Sequence, residues 1–138
     1  MYYYLSLGAN LGNREQTIHS AIQRIEQQIG PVTRCSSFYY SAPWGFESKH
    51  EFCNVCCLLE TDKTPLDVLQ ATQEIERMLG RAKKSTGGNY SDRTIDIDII
   101  RVLDEGKEIY WNSERLQIPH PLWEQRDFVT VPLKEIQS

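Results

Sequence analysis

The residues best suited to chemistry are two aspartates, Asp96 and Asp98, in segment 93–99. Isoleucines alternate with these acids, which predicts a β-strand with apolar side chains on one face and both carboxylates on the other. On a strand, such side chains lie roughly 6–7 Å apart. Oxygen ligands at that spacing suit Mg²⁺, which proteins often hold through one or two carboxylates and substrate phosphates. We therefore expect a magnesium and phosphate site, the alternative being a solvated polar face of the sheet.

Basic residues precede this strand on a loop that contains glycine. Arg81, Lys83, Lys84 and Arg93 cluster there in a chain whose net charge is −4. Such a cluster is commonly a solvated run of charges. Its position next to the acids favours a loop that folds its cations over a bound phosphate, since closing loops exclude water and complete a site.

Other candidates are individually weaker. His120 lies between two prolines, and Arg126 follows it as a further phosphate ligand. The aromatic residues Trp44 and Phe52 either pack in the core or form a slot for a flat heterocycle. In the second case Asn54 would supply a hydrogen-bond donor and an acceptor to the edge of the ring.

Composition limits the classes of protein that this chain can belong to. Its 138 residues fit a single domain, 1–138. The acidic net charge disfavours nucleic acid as a partner. No apolar run approaches the ~18 residues of a membrane span, and the N-terminus shows no signal sequence, so we expect a cytoplasmic protein.

The four cysteines raise the question of a metal or redox site. Cys53 and Cys56 have CxxC spacing, but a second pair is missing and their segment reads as a strand. Side chains three apart on a strand face opposite ways, so we expect the cysteines to be small buried hydrophobes.

The predicted elements follow the order β-α-β-β-α-β. Strands are predicted at 2–7, 32–41, 52–60 and 95–103, and the two helices begin near Asn13 and Thr64. This order is that of an α+β, ferredoxin-like fold, an antiparallel sheet with helices packed on one face. A short C-terminal extension follows, with a hairpin from 109 to 118 and an amphipathic tail. The two aspartates would then lie on the uncovered face.

Together these residues resemble the 6-hydroxymethyl-7,8-dihydropterin pyrophosphokinase family. The resemblance covers most of the chain. Its most specific part is the Arg-x-x-Asp-x-Asp motif of residues 93–98 combined with the downstream Pro-His pair. The other matching segments are 7–12, 36–39, 52–54, 75–77, 80–81, 119–120, Arg126 and Phe128.

This resemblance implies transfer of diphosphate from ATP to the hydroxymethyl group of the dihydropterin, with release of AMP. It implies two Mg²⁺ ions on Asp96 and Asp98 and catalytic roles for these acids with Arg81 and Arg93. The matching nucleotide-site positions are Gln73, Glu76, Lys83, Ile99, Arg115, Gln117, His120 and Arg126. Those of the pterin pocket are Ser41, Ala42, Pro43, Trp44, Phe52, Asn54 and Phe128.

Two other hypotheses remain open at this point. One is a different magnesium-dependent phosphotransferase with the same fold, which would have no affinity for pterin. The other is a non-enzymatic ferredoxin-like module that binds a metabolite, regulator or partner. For a member of the pyrophosphokinase family we expect a monomer.

Overall fold

The computed structural model describes residues 1–42, 51–80 and 95–137. Its N-terminal half contains β1 (Tyr2–Ala9), α1 (Arg14–Gln28), β2 (Val32–Cys35), β3 (Tyr39–Ser41), β4 (Phe52–Glu60) and α2 (Pro65–Met78). The C-terminal half contains β5 (Asp96–Asp104), β6 (Lys107–Ile109), β7 (Trp111–Asn112), β8 (Gln117–Ile118), a 3-10 helix (Trp123–Gln125) and α3 (Asp127–Ile136). None of the helices in these ranges is long and apolar enough to cross a membrane.

The main sheet is antiparallel, with strand order β2-β4-β1-β5-β6, and β3 extends it beside β4. The fold is therefore α+β. The central strand β1 pairs with β4 on one side and β5 on the other. Strands β7 and β8 form a separate small hairpin, close to the one predicted at 109–118.

Both predicted helix starts are confirmed by their caps. The Asn13 side chain accepts a hydrogen bond from Gln16 N, and the Thr64 hydroxyl accepts one from Asp67 N. Helices α1 and α2 bury Ile18, Ile25, Val68 and Ile75 against one face of the sheet, so their apolar stripes build the main core.

The prediction that helices cover only one face is wrong. On the opposite face, Tyr4, Cys56 and Ile100 pack with Val129 and Leu133 of α3. The amphipathic tail forms this helix because the sheet presents apolar side chains there, which would otherwise be exposed to water. Asp96 and Asp98 therefore lie on a face that α3 covers in part.

The predicted strand 32–41 is split into β2 and β3. At the break, the Ser36 hydroxyl accepts the hydrogen bond from Cys56 N, which a strand carbonyl would normally take. The sequence pattern also missed the β5–β6 hairpin, whose turn places Glu105 and Gly106 at φ 51° and 80°. Turns of this kind favour Asn-Gly or Asp-Gly, so Glu-Gly gave a weak signal.

We expect Leu133→Ala to lower the free energy of unfolding by about 2–5 kcal/mol, because it leaves a cavity beneath α3. Urea unfolding monitored by circular dichroism measures this change. The control is Val131→Ala on the same helix, where the half-exposed side chain leaves stability within about 0.5 kcal/mol. Equal effects of the two substitutions would contradict a packed α3.

Candidate active site

A cavity of about 490 Å³ lies along β5, on the side away from β1. On that side β6 pairs with β5 only at residues 102–104, so among the described residues no strand covers positions 96–101. Side chains of α2, segment 113–117, segment 120–121 and Arg126 complete the walls. The volume is within the usual range of ligand pockets.

Helix α2 contributes Leu69, Gln73 and Glu76 to this cavity. These positions are spaced by four and three residues, so they share one helix face. Glu76 is buried, and its Oε2 accepts a hydrogen bond of 2.8 Å from Ile97 N. The bond joins α2 to the edge of β5 between the two aspartates.

Asp96 and Asp98 are half-buried and line the cavity together. They lie opposite Gly8 and Ser6 of β1, while the alternate residues Ile97 and Ile99 pack in the main core. The predicted division of faces on this strand is therefore confirmed. Within the described ranges, no group of three or more acidic, histidine or cysteine side chains could hold a metal ion. Two carboxylates can supply only part of a coordination shell, which suits Mg²⁺ with its retained waters and substrate oxygens.

His120 and Arg126 also line the cavity. The backbone N–H of His120 donates to Ile100 O at 2.9 Å, which fixes the residue beside β5. Its Nδ1 accepts from Leu122 N, so the neutral imidazole carries its proton on Nε2. Burial lowers the pKa of His120, as does the nearby Arg126, against the opposing effect of Asp96.

Asn54 lies on the same sheet face as the aspartates, two strands away. Its Nδ2 donates to Tyr39 O at 3.0 Å and to Ser41 Oγ at 2.8 Å. Because both amide hydrogens are used within the protein, Asn54 can offer a ligand only its Oδ1, and not the donor and acceptor pair that we expected. A Cβ at Gly8 would come within 3.0 Å of that oxygen and 3.6 Å of the Phe52 ring, so glycine keeps this surface open.

The remaining predicted residues differ in how far the structure describes them. Phe128 is the second residue of α3, and the Arg126 guanidinium lies 5.7 Å from its ring. Phe128 packs at the margin of the apolar cluster between α3 and the sheet. Ala42 is exposed directly after β3. The five predictions at Pro43, Trp44, Arg81, Lys83 and Arg93 lie outside the described residues.

All the predicted nucleotide-site residues in the described ranges line the one cavity, beside both aspartates. They are Gln73, Glu76, Ile99, Arg115, Gln117, His120 and Arg126. Other lining residues were not predicted, namely Leu69, Ile97, Ser113, Glu114, Leu116 and Pro121. The helix spacing to Gln73 could have indicated Leu69. The sequence holds no comparable signal for 113–114, because the turn between β7 and β8 brings them to the cavity.

Fold and cavity together define a small α+β domain whose polar cleft, lined by carboxylates and cations, suits a phosphorylated ligand. The model of one family, 7,8-dihydro-6-hydroxymethylpterin-pyrophosphokinase (HPPK), matches residues 4–138. The chain belongs to this family, as its motifs predicted.

Similar proteins agree with this assignment. The chain is 45% identical to a 2-amino-4-hydroxy-6-hydroxymethyldihydropteridine pyrophosphokinase of Porphyromonas gingivalis, covering 96% of this chain and 88% of that protein. It is 37% identical to the enzyme of that name from Bacillus subtilis, covering 96% and 76%. A crystal structure of HPPK-DHPS in complex with substrates aligns with a TM-score of 0.70 at 13% identity, over 98% of this chain and 40% of that one. At that identity the alignment shows the shared fold alone.

We expect His120 to titrate below 6.5, because burial and Arg126 disfavour its charged form. The folded state then binds fewer protons than the unfolded state, so this contribution to stability is present above pH 6.5 and lost as the pH falls through the folded pKa. Proton NMR of the imidazole across pH 4–8 measures the midpoint. Arg126→Met should raise it toward the usual value, and a wild-type midpoint above 6.5 would contradict this account.

Proposed function

We propose that this chain transfers the diphosphate of ATP to the hydroxymethyl group of 6-hydroxymethyl-7,8-dihydropterin and releases AMP, as a step of folate biosynthesis. Family membership supports the activity. The observation that supports the location most directly is the cavity along β5, because the nucleotide-site residues expected within the described ranges meet there beside Asp96 and Asp98.

The topology that we propose for this domain is the ferredoxin-like one. The strand order β2-β4-β1-β5, with α1 and α2 packed on one face, supports it. In this arrangement the strands carrying Asn54 and the aspartates flank β1. The pterin would then bind on the sheet face that carries Asn54, and the nucleotide in the adjacent cavity along the edge of β5.

In the proposed reaction, the hydroxymethyl oxygen forms a bond to the β-phosphorus while the bond between that phosphorus and the α,β-bridging oxygen breaks. AMP leaves with the bridging oxygen, and one of the two aspartates accepts the proton of the alcohol. Phosphoryl transfer needs little covalent help from a protein, so aligning the substrates and neutralising charge are the main tasks.

The charge of the triphosphate would be offset by cationic and hydrogen-bond-donating groups that line the cavity. Arg115 and Arg126 provide guanidinium groups, and the Nε2–H of His120 can donate to a phosphate oxygen. Mg²⁺ ions on Asp96 and Asp98, two when ATP is bound, would neutralise phosphate charge and polarise the transferred group. We propose that Arg81, Lys83 and Arg93 add to this charge from the basic loop.

The pterin would lie on the surface formed by Gly8, Phe52 and Asn54, with Phe128, Trp44 and segment 41–43 completing the pocket. The Asn54 oxygen accepts a hydrogen bond from the pterin edge, since its amide nitrogen is already committed to Tyr39 and Ser41. This surface would therefore bind a ring that presents an N–H donor. The amino and lactam groups of a pterin provide such donors.

Phosphorus NMR of the protein with Mg-ATP and the dihydropterin tests the reaction, with AMP and a pterin diphosphate as the expected products. Formation of ADP, or no turnover, would reject it. We expect Asp96→Asn and Asp98→Asn each to lower kcat by about 100-fold or more, because even indirect partners of a metal site alter activity 10–100-fold. Both variants should keep wild-type stability.

The matched control for these variants is Asp104→Asn. It removes an exposed carboxylate from the same strand, outside the cavity, and should keep wild-type kcat. A comparable loss in the control, or global unfolding of either cavity variant, would show that the acids are structural.

We expect Gly8→Ala to raise the KM for the dihydropterin with little change in the KM for ATP. The new methyl group would push against Asn54 Oδ1, the acceptor assigned to the pterin. Initial rates with each substrate varied in turn separate the two effects. Gly106→Ala is the control, because it adds backbone strain at φ +80° with nothing within 4 Å, and both KM values should stay unchanged.

A further inference from the structure

Cys35 and Cys57 face each other across two antiparallel strands. Cys35 is on β2, at the edge of the sheet, and its Cα partner on β4 is Cys57. Cys35 is exposed, whereas Cys57 is fully buried in the main core. The prediction that the cysteines are buried is thus wrong for Cys35, because the edge strand has no neighbour on its outer side within the described residues.

The hydrogen-bond pattern indicates that this pair can form a disulfide. The next pair along the ladder carries the bonds, since Ser36 N donates to Cys56 O and Ser36 Oγ accepts from Cys56 N. Hydrogen-bonded and non-bonded pairs alternate along an antiparallel ladder, so Cys35 and Cys57 form a non-bonded pair with Cα atoms about 4.5 Å apart. That separation lies within the range of disulfides.

The thiols of Cys35 and Cys57 also differ in pKa, and the thiol with the lower pKa is the better nucleophile toward a peroxide. A hydrogen bond from the Cys57 thiol lowers the pKa of Cys35, against partial burial of its sulfur and the charge of Glu26. The same bond and burial raise the pKa of Cys57. Burial raises the pKa of Cys53 to about 11 and that of Cys56 to about 12. Cys35 is therefore the accessible nucleophile among the cysteines, and Cys57 is its neighbour in contact.

We propose that Cys35 and Cys57 form a modification site at which a hydroperoxide produces an intramolecular disulfide. The Cys35 thiolate attacks the terminal oxygen of the peroxide, the O–O bond breaks, and a sulfenic acid and water (an alcohol from an organic peroxide) result. The Cys57 sulfur then attacks the sulfenic sulfur, forming the S–S bond and releasing water. Two thiols are oxidised by two electrons in total, and one peroxide is reduced.

This modification is independent of the function proposed above, because neither cysteine lines the cavity. The bond would join edge strand β2 covalently to β4 on the face that α1 covers, since Cys57 belongs to the main core. It needs no movement of Asn54 or the aspartates, which lie on the opposite face. Reduced Cys35→Ser protein should therefore keep the activity of the wild type.

Intact mass spectrometry of the protein treated with hydrogen peroxide tests the proposal. We expect the wild type and the control Cys53→Ala to lose two hydrogens, reversibly with dithiothreitol. Cys35→Ser should not lose them, and in Cys57→Ala the sulfenic acid should persist at Cys35 and be trapped by dimedone. Cys35→Ser changes only an exposed position, so it remains informative even if the core variant fails to fold.

Three outcomes would overturn the proposal. The first is a loss of two hydrogens in Cys35→Ser, as in the wild type. The second is a dimer linked by a disulfide through Cys35, and the third is wild-type protein in which peroxide produces only a sulfinic acid. The pH dependence of Cys35 alkylation by iodoacetamide gives a second test. Its midpoint should lie at higher pH in Cys57→Ala than in Cys53→Ala, and equal midpoints would remove the assigned role of Cys57.

Discussion

The hydrogen bond from Ile97 N to the Glu76 carboxylate determines how the sheet edge at the candidate active site is built. A strand edge presents N–H groups that must be satisfied, and an additional strand is the usual solution. Here the buried Glu76 side chain of α2 accepts the hydrogen bond from Ile97 N. Further along the strand, His120 N donates to the carbonyl of Ile100. Because single groups replace a strand, the space beside residues 96–99 remains a cavity. The carboxylate of Glu76 also holds α2 in place, so Gln73 stays at the cavity wall.

The second face of the sheet depends on how the C-terminal helix is attached. Besides its apolar contacts, α3 forms hydrogen bonds to the edge of the sheet. Arg34 Nη1 donates to Ile136 O, and the Glu135 carboxylate accepts from Ser37 N and Oγ. The helix begins just after Arg126, so its attachment positions this buried cation against the cavity. Arg101 supports the preceding 3-10 helix, since it pairs with Glu108 and lies 5.7 Å from the Trp123 ring. Packing far from the cavity therefore determines where one of its cations lies.

Features that depend on residues close together in the sequence could be predicted, whereas features that depend on contacts between distant segments could not. Alternation placed Ile97 and Ile99 in the core and the aspartates opposite, because strand periodicity is local. Caps located the helix starts for the same reason. The covering of the second face by α3 and the exposure of Cys35 at an edge depend on strand order, which local patterns do not encode. The use of the Asn54 amide by Tyr39 and Ser41 depends on pairing across β3 and β4. The family resemblance supplied candidates such as Arg115, whose position follows only once the β7–β8 hairpin is formed.

The register of three strands fixes the geometry that the proposed reaction requires. Gly8 is the Cα partner of Asn54 on one side and of Asp96 on the other, so these residues form one row across β4, β1 and β5. Two strand spacings separate the outer members by about 10 Å, which leaves room for a bicyclic ring over the glycine. A slip of one residue would turn the aspartates into the core, so the alignment of the aspartates with Asn54 is set by the hydrogen-bond ladder. The shift in register between Tyr4 and Leu5 lies beyond this row, between the pairs Leu5–Ile99 and Tyr4–Arg101. Ile100 faces α3 by alternation from Asp98, and the shift then lets Val102 face the main core. This irregularity is thus kept away from the residues whose alignment the proposed reaction requires.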